Sequence, residues 1–408
     1  MPGSSAASRA VVVGSGIGGL TAAVALHQRG WDVTVLERAP SLRPVGAGIG
    51  LAPNSQRALD VIGLGDEIRS LAAWQGAGGM RTPAGRWLSR TDATAAAERF
   101  GGPLVLVHRS TLIERIAARL PDGAVRTGCP GELADPGTAG GAPARVTTPE
   151  GDIEAALVVG ADGIHSGVRR ALFPAHPGPR YAGFTTWRVV VPAPDAPFEP
   201  HETWGPGSLW GTQPLADGRV YAYAAAVAPE GSGVADEQAE LLRRFGDWHD
   251  PVPAVIAAAP GVVLRNDVHH MIDPLPAHHR GRTVLIGDAA HAMAPCLGQG
   301  GNQAIEDAVV LAHHAPPGGD LGTGLAAHSA ARLPRTASVV RKSARVARLM
   351  ALRSTPAVAV RDTLMATASR LGPGLVLRTF DGIADWRPPQ RTYAAGAHGV
   401  HDGGPARH

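Results

Sequence analysis

The chain has 408 residues, 44% of them hydrophobic, a formal net charge of +3 and two cysteines, Cys129 and Cys296. That length can bury a large core and suits two domains, or one domain with a large insertion. The composition excludes a disulfide framework and a membrane-spanning run; with aromatics at 4% and no basic block among them, it also excludes a stacking platform for nucleic acid.

Residues 1–9 are small and polar and lack the apolar core of a signal peptide, so a cytoplasmic protein without stable membrane association is expected. Arginine is abundant while Lys342 is the single lysine, which reads as codon bias rather than function. Residues 10–13 form a short apolar run suited to a buried parallel strand. Gly14, Gly16 and Gly19 follow in the stretch GSGIGG, spaced G-x-G-x-x-G. An Ala-rich helix is expected over 20–28, stopped by Gly30, and then a second strand over 31–36 that ends in Glu37. This is a complete βαβ unit. Its first two glycines allow the turn and a close approach of pyrophosphate, and the third allows tight helix–strand packing. The helix start faces the phosphates. Glu37, 18 residues beyond Gly19, is placed to accept from adenosine ribose hydroxyls. The unit alone does not separate NAD from FAD.

Further along, Arg109 opens the helical stretch HRSTLIERI, and PGELADPGTAGGAPA at 130–144 reads as a surface loop or hairpin. Segment 181–264 reads as alternating strands, as in TTWRVVV and RVYAYAAAV, separated by Pro-rich turns. His269, His270, His278 and His279 have no recognised ligand spacing, so no metal is expected.

The stretch VLIGDAAHAMAPCLGQGGNQAIEDA carries the distinguishing signal. Residues 283–286 form a buried strand, and Gly287 and Asp288 sit at its C-terminal end, where parallel strands receive ligands. A carboxylate there would repel pyrophosphate, so it suits the hydroxyls of a ribityl chain, which riboflavin has and NAD lacks. Pro295 redirects the chain. Gly298, Gln299, Gly300 and Gly301 then open a helix expected from about Asn302 to Leu311, whose free N–H groups could hold the carbonyl edge of an isoalloxazine ring. His291 reads as a structural hydrogen-bond partner, and Cys296 as pocket lining rather than a nucleophile.

Three stretches in chain order, GSGIGG with Glu37 and Arg38, VVGADGIHSGVRR at 158–170 and IGDAAHAMAPCLGQGG at 286–301, resemble the FAD-dependent group A aromatic hydroxylases. The resemblance implies an α/β protein: a Rossmann-type FAD-binding domain with an inserted mixed β-sheet substrate domain and C-terminal helices. The expected FAD domain is discontinuous (1–75, 100–180 and 265–320). The substrate sheet takes 76–99 and 181–264, the helical region 321–391 and a disordered tail 392–408. Residues 332–353 read as a helix packed on the body, with Val339, Val340, Val346, Leu349 and Met350 as an apolar stripe and a solvated arginine face.

The resemblance assigns the FAD contacts to Gly14, Gly16, Ile17, Gly18, Gly19, Glu37, Arg38, Gly46, Ala47, Gly48, Arg109, Asp162, Gly163, Gly287, Asp288, Pro295, Gly298, Gln299, Gly300, Gly301 and Asn302. The substrate pocket is expected to be mostly apolar and lined by Trp187, Trp210, Gln213 and Pro295. The implied activity is that of a monooxygenase using NAD(P)H as transient reductant and O2 as co-substrate. Oxygen passes from a flavin C4a-hydroperoxide to an electron-rich aromatic or unsaturated small molecule. The chain would act as a monomer or homodimer. A flavin halogenase and a flavin-binding sensor without turnover are the alternatives. Against the first, this chain has no Trp-x-Trp motif and only Lys342 to serve as an active-site lysine. Some relatives carry a histidine base where this chain has Thr212 and Gln213 before Pro214. No base is nameable from the sequence. A bulky neutral substrate from natural-product biosynthesis, which needs no proton removal, is therefore favoured.

Overall fold

The computed structural model describes residues 8–42, 47–72, 77–195, 197–259, 263–372, 375 and 377–389. Gly46 and the expected tail lie outside the described residues.

Six strands make the central sheet, in the spatial order His279–Arg280, Thr283–Leu285, Leu157–Gly160, Arg9–Val13, Asp32–Leu36 and Val125–Arg126. All pair in parallel except the first, which is antiparallel to its neighbour. Alternation along Arg9–Val13 explains why this strand is apolar throughout. Ala10 and Val12 enter one core with the helix Ile17–Gln28, while Val11 and Val13 enter a second core on the other face. Covering both faces is what a parallel sheet requires. The expected elements lie here with small shifts: the first helix starts at Ile17 rather than 20, and the helix after the Gly-rich loop runs Gly300–His314 rather than 302–311.

The second sheet has seven strands, ordered Leu264–His270, Arg180–Pro192, Arg219–Val227, Ser208–Pro214, His201–Gly205, Ala77–Arg81 and Trp87–Asp92. Leu264–His270 pairs with Arg180–Pro192, so residues 265–270 lie in this sheet rather than in the FAD domain as expected. Segment 181–264 also holds two helices, Glu237–Phe245 and Val252–Ala257, that the alternating pattern did not show. The first begins at Asp236, whose carboxylate accepts from the Ala239 N–H. Both helices cover the outer face of the sheet. Residues 130–144 contain the strand Glu132–Asp135 and the turn that leads into Ala144–Thr148, part of a small three-stranded antiparallel sheet.

The C-terminal helices are Leu321–Met350 and Thr355–Arg370. Val339, Val340 and Met350 are buried as the apolar stripe requires, but Leu349 is exposed. Arg332, expected on a solvated face, is fully buried among carboxylates. No helix among the described residues is long and apolar enough to cross a membrane.

Candidate active site

The first turn is shaped by contacts that forbid side chains. Gly14 has φ +105°, and a Cβ there would lie 2.4 Å from the Ala161 carbonyl oxygen. A Cβ on Gly19 would lie 2.0 Å from the Gly14 carbonyl oxygen, and one on Gly18 3.0 Å from Ala304 Cβ. These two glycines therefore serve packing. Gly16, at the helix start, borders open space, where a ligand can approach the backbone. Ile17 is buried and turns into the core. Glu37 braces this turn: it accepts from the Ser15 N–H at 2.9 Å, the Ser15 hydroxyl at 2.6 Å and the Ala39 N–H at 2.8 Å. Burial alone would raise its pKa, but these donors and Arg38 hold it below the ordinary carboxylate value. Arg38 is exposed beside it. Glu37→Ala should lower FAD affinity by about 1.5–3 kcal/mol, the usual worth of hydrogen bonds to a charged group. Titration of the apoprotein with FAD, followed by flavin fluorescence, reads this out, and an unchanged affinity would remove Glu37 from the FAD site.

At the second strand end, Gly287 adopts φ +59° and Asp288 emerges exposed, although Gly287, Ala289 and Ala290 around it are buried. A bare carboxylate aimed into a cleft fits the hydroxyls of a ribityl chain. The Arg109 guanidinium faces Asp288, Arg188 and Tyr221; burial lowers its pKa, and Asp288 opposes that shift. The Arg109 N–H donates to the Ala47 carbonyl at 2.8 Å, tying Arg109 to the strand Gly48–Leu51. A Cβ on Gly48 would strike the Tyr221 ring at 2.4 Å, so the FAD domain touches the large sheet here. Asp162 accepts from the Ser166 hydroxyl at 2.5 Å and the Val168 N–H at 3.1 Å, closing the turn that contains Gly163. Its side chain is thus engaged within the loop.

Pro295 and Gly298 are exposed on the same loop, and Gly298 has φ +61°. Gln299 and Asn302 are buried instead. Gln299 Oε1 accepts from Asn54 and Gln303, while Asn302 donates to the Gly50 and Gly298 carbonyls and accepts from the Ala52 N–H. Their side chains fix the loop, leaving backbone groups to meet a ligand. A Cβ on Gly301 would lie 2.7 Å from Ile49 Cδ1, and one on Gly300 3.8 Å from Asp288 Oδ1. The open edges at Gly16 and Gly298 and the free carboxylate of Asp288 together fit an extended dinucleotide carrying a flavin.

The pocket side differs from the expectation. Trp187 and Trp210 point away from this cleft. Trp187 Nε1 donates to Glu237 Oε2 at 2.6 Å, and the Trp210 ring packs on Phe245 at 5.6 Å. Both lie in the core under the outer helices. The reason is strand parity: a residue on the wrong side of the alternation faces the opposite layer. The cleft face carries Arg188, Tyr221, Tyr223, Gln213 and Glu202 instead. The sequence reading missed Glu202 and Tyr223, whose pairing depends on strand register. Tyr223 donates to Glu202 Oε1 at 2.5 Å, and Trp204 Nε1 donates to Glu202 Oε2 at 3.0 Å. Burial, and then Glu202, push the Cys296 thiol up to about 12, which keeps it protonated and poorly nucleophilic. Among the described residues no group of three or more His, Cys, Asp or Glu side chains is arranged to hold a metal.

Fold and site together define an FAD-binding oxidoreductase. The FAD binding domain family is matched over residues 7–206 and 266–343. The chain is 36% identical over 365 residues to an aurachin C monooxygenase/isomerase of Stigmatella aurantiaca, covering 88% of this chain and 94% of that one. It is 37% identical over 370 residues to a 3-amino-4-hydroxybenzoate 2-monooxygenase of Streptomyces cremeus, covering 88% and 91%. The structure of Klebsiella pneumoniae HpxO complexed with FAD and uric acid superposes with a TM-score of 0.81 at 28% identity, over 92% of this chain and 96% of that one. The chain belongs to the FAD binding domain family and is an FAD-dependent monooxygenase of aromatic substrates.

Proposed function

We propose that this enzyme uses NAD(P)H and O2 to hydroxylate an electron-rich aromatic small molecule in a biosynthetic pathway. Bound FAD would supply the redox chemistry and the electrophilic oxygen. The chain's own residues supply the rest. Glu37 and the glycine turn bind the adenosine end, Asp288 accepts from the ribityl hydroxyls, and the 295–298 loop faces the ring. The observation that carries this reading is the exposed Asp288 carboxylate, which faces Arg109 together with Arg188 and Tyr221 of the large sheet. Between that sheet and the loop, substrate is held out of bulk water.

A halogenase reading has no support from this site. The Lys342 ammonium donates to the Asp381 carbonyl at 3.1 Å within the C-terminal region. The test is NADH or NADPH oxidation coupled to product formation, with 3-amino-4-hydroxybenzoate, 3-hydroxybenzoate and urate as candidates. Coupled turnover of one of them is expected. Reductant consumption that yields only hydrogen peroxide with every candidate would reject this substrate class, and no consumption at all would favour a sensor. The nicotinamide should bind only transiently, because no second G-x-G-x-x-G follows a strand. A stoichiometric nicotinamide retained through gel filtration would contradict that.

A further inference from the structure

One row of residues crosses the large sheet on its cleft face. Arg188 pairs with Tyr223, Tyr223 with Gly211, Gly211 with Glu202, and Glu202 with Met80. Gly211 is the key to this row. A Cβ there would lie 2.2 Å from Tyr223 Cζ, so the Tyr223 ring lies across the strand Ser208–Pro214 in the space that Gly211 leaves. This brings the Tyr223 hydroxyl to Glu202, two strands away, at 2.5 Å. The second Glu202 oxygen is held by Trp204 Nε1, and the Arg361 guanidinium lies 5.4 Å over the Trp204 ring. Tyr223, Gln213 and Cys296 are each half-buried.

The groups that face this pair come from four directions. Tyr221 lies beside Tyr223 on its own strand at 5.5 Å between rings, and Gln213, on the neighbouring strand, is hydrogen-bonded to the Tyr223 hydroxyl. Arg188 is on the strand to the other side, and Cys296 is on the flavin loop. Burial, and then Glu202, raise the Tyr223 pKa well above its ordinary value, so its hydroxyl stays protonated and donates to the carboxylate. With the Gln213 amide also bonded to it, the phenolic oxygen keeps one lone pair to accept from a ligand.

We propose that Tyr223 and Glu202 form a two-residue proton acceptor for a hydroxyl or amino group on the substrate ring, and thereby select substrates that carry such a donor. This rests on the aromatic hydroxylase reading above. The substrate O–H or N–H bond breaks and its proton forms a bond to the Tyr223 oxygen. The Tyr223 proton passes to Glu202 Oε1, making a carboxylic acid. The electron pair left on the substrate heteroatom moves into the ring as the ring carbon gains oxygen. Tyr223 touches the substrate, and Glu202 acts through it. The pair occupies the role that Thr212 and Gln213 leave unfilled, so a substrate that must lose a proton becomes accessible.

The experiment uses the FAD-loaded enzyme, its Tyr223→Phe, Glu202→Gln and Trp204→Phe variants, and 3-amino-4-hydroxybenzoate as substrate. At neutral pH, kcat should fall about 10²-fold or more in the first two variants, with KM changing less. The deficit should shrink as pH rises and the substrate ionises unaided. Trp204→Phe frees one carboxylate oxygen and should move the acid limb of the rate profile to higher pH. A loss that is equal at every pH, or a change confined to KM, would overturn the proposal. A second measurement needs no turnover. The oxidised wild-type enzyme should bind 4-nitrophenol at least tenfold tighter than 4-nitroanisole, which has no donor, and Tyr223→Phe should erase that preference. If wild type turns over none of the candidate substrates, the proposed function fails by itself and this comparison decides the proton acceptor. Equal affinity for both probes in wild type would reject it. A variant that loses FAD is replaced in both measurements by Glu202→Asp, expected to retain part of the rate and of the preference.

Discussion

Asp307→Ala should destabilise the protein by about 3–5 kcal/mol, the cost of removing one partner from a buried ion pair. Asp307 is fully buried on the helix Gly300–His314. Its Oδ1 accepts from Arg332 Nε at 2.6 Å, and its Oδ2 accepts from His291 Nε2 at 2.6 Å and from the Gly287 N–H at 2.9 Å. Placing the proton on His291 Nε2 follows from its carboxylate partner. Burial alone would raise the Asp307 pKa, but His291 and Arg332 hold it well below the usual carboxylate range. Removing the carboxylate would leave the Arg332 cation with one carboxylate partner, Glu306, beside the Gln303 oxygens, and free the Gly287 N–H. Because Gly287 sets the turn that presents Asp288, FAD retention should fall along with stability. Denaturant unfolding of wild type, Asp307→Ala and Asp307→Asn checks this, with the last expected to lose less because it keeps the side-chain shape. A destabilisation below about 1 kcal/mol by alanine would show that the network is not holding the loop.

Acidification from pH 7 to 5 should destabilise the protein, with about 2 kcal/mol of the loss attributable to His328. His328 is fully buried, and neither ring nitrogen has a hydrogen-bond partner. Burial first pushes its pKa down to about 4, with Asp307 opposing the shift and Arg332 adding to it. The unfolded value is about 6.5. Between those values the unfolded chain binds a proton that the native state refuses. The stability is therefore complete above about 6.5 and is lost as pH falls toward about 4. His278, 6.3 Å from His328 between ring centroids, is also lowered well below its ordinary value, chiefly by burial, and adds in the same direction. Asp307 stays ionised throughout this window, because its native pKa lies below the unfolded value. Urea midpoints at pH 7 and pH 5 test the idea, and His328→Leu should flatten the difference. Identical midpoints for wild type at the two pH values would refute a neutral buried histidine.

The sequence by itself determined those features whose physics is local. The turn at Gly14–Gly19 is legible because a φ of +105° and a backbone contact of 2.4 Å admit only glycine at position 14. The strand at 10–13 is legible because burial on both faces demands an unbroken apolar run, and the exposed position of Asp288 because a polar residue beside Gly287 follows the end of a buried parallel strand. Tertiary structure decided what depends on which side of a strand faces which layer. Trp187 and Trp210 are the large aromatic residues expected in a pocket, yet strand parity sends both to the outer helices. Leu264–His270 joins the large sheet through pairing with a strand about 80 residues earlier in the chain, a contact that no local pattern encodes. The same holds for Glu202 and Tyr223. They are 21 residues apart in the chain and meet only because two strand registers place Gly211 between them, where the absence of a side chain lets the ring cross. Arg332 likewise reads as a surface residue in any helical pattern, and only the packing of its helix against Glu306 and Asp307 gives the charge a buried partner.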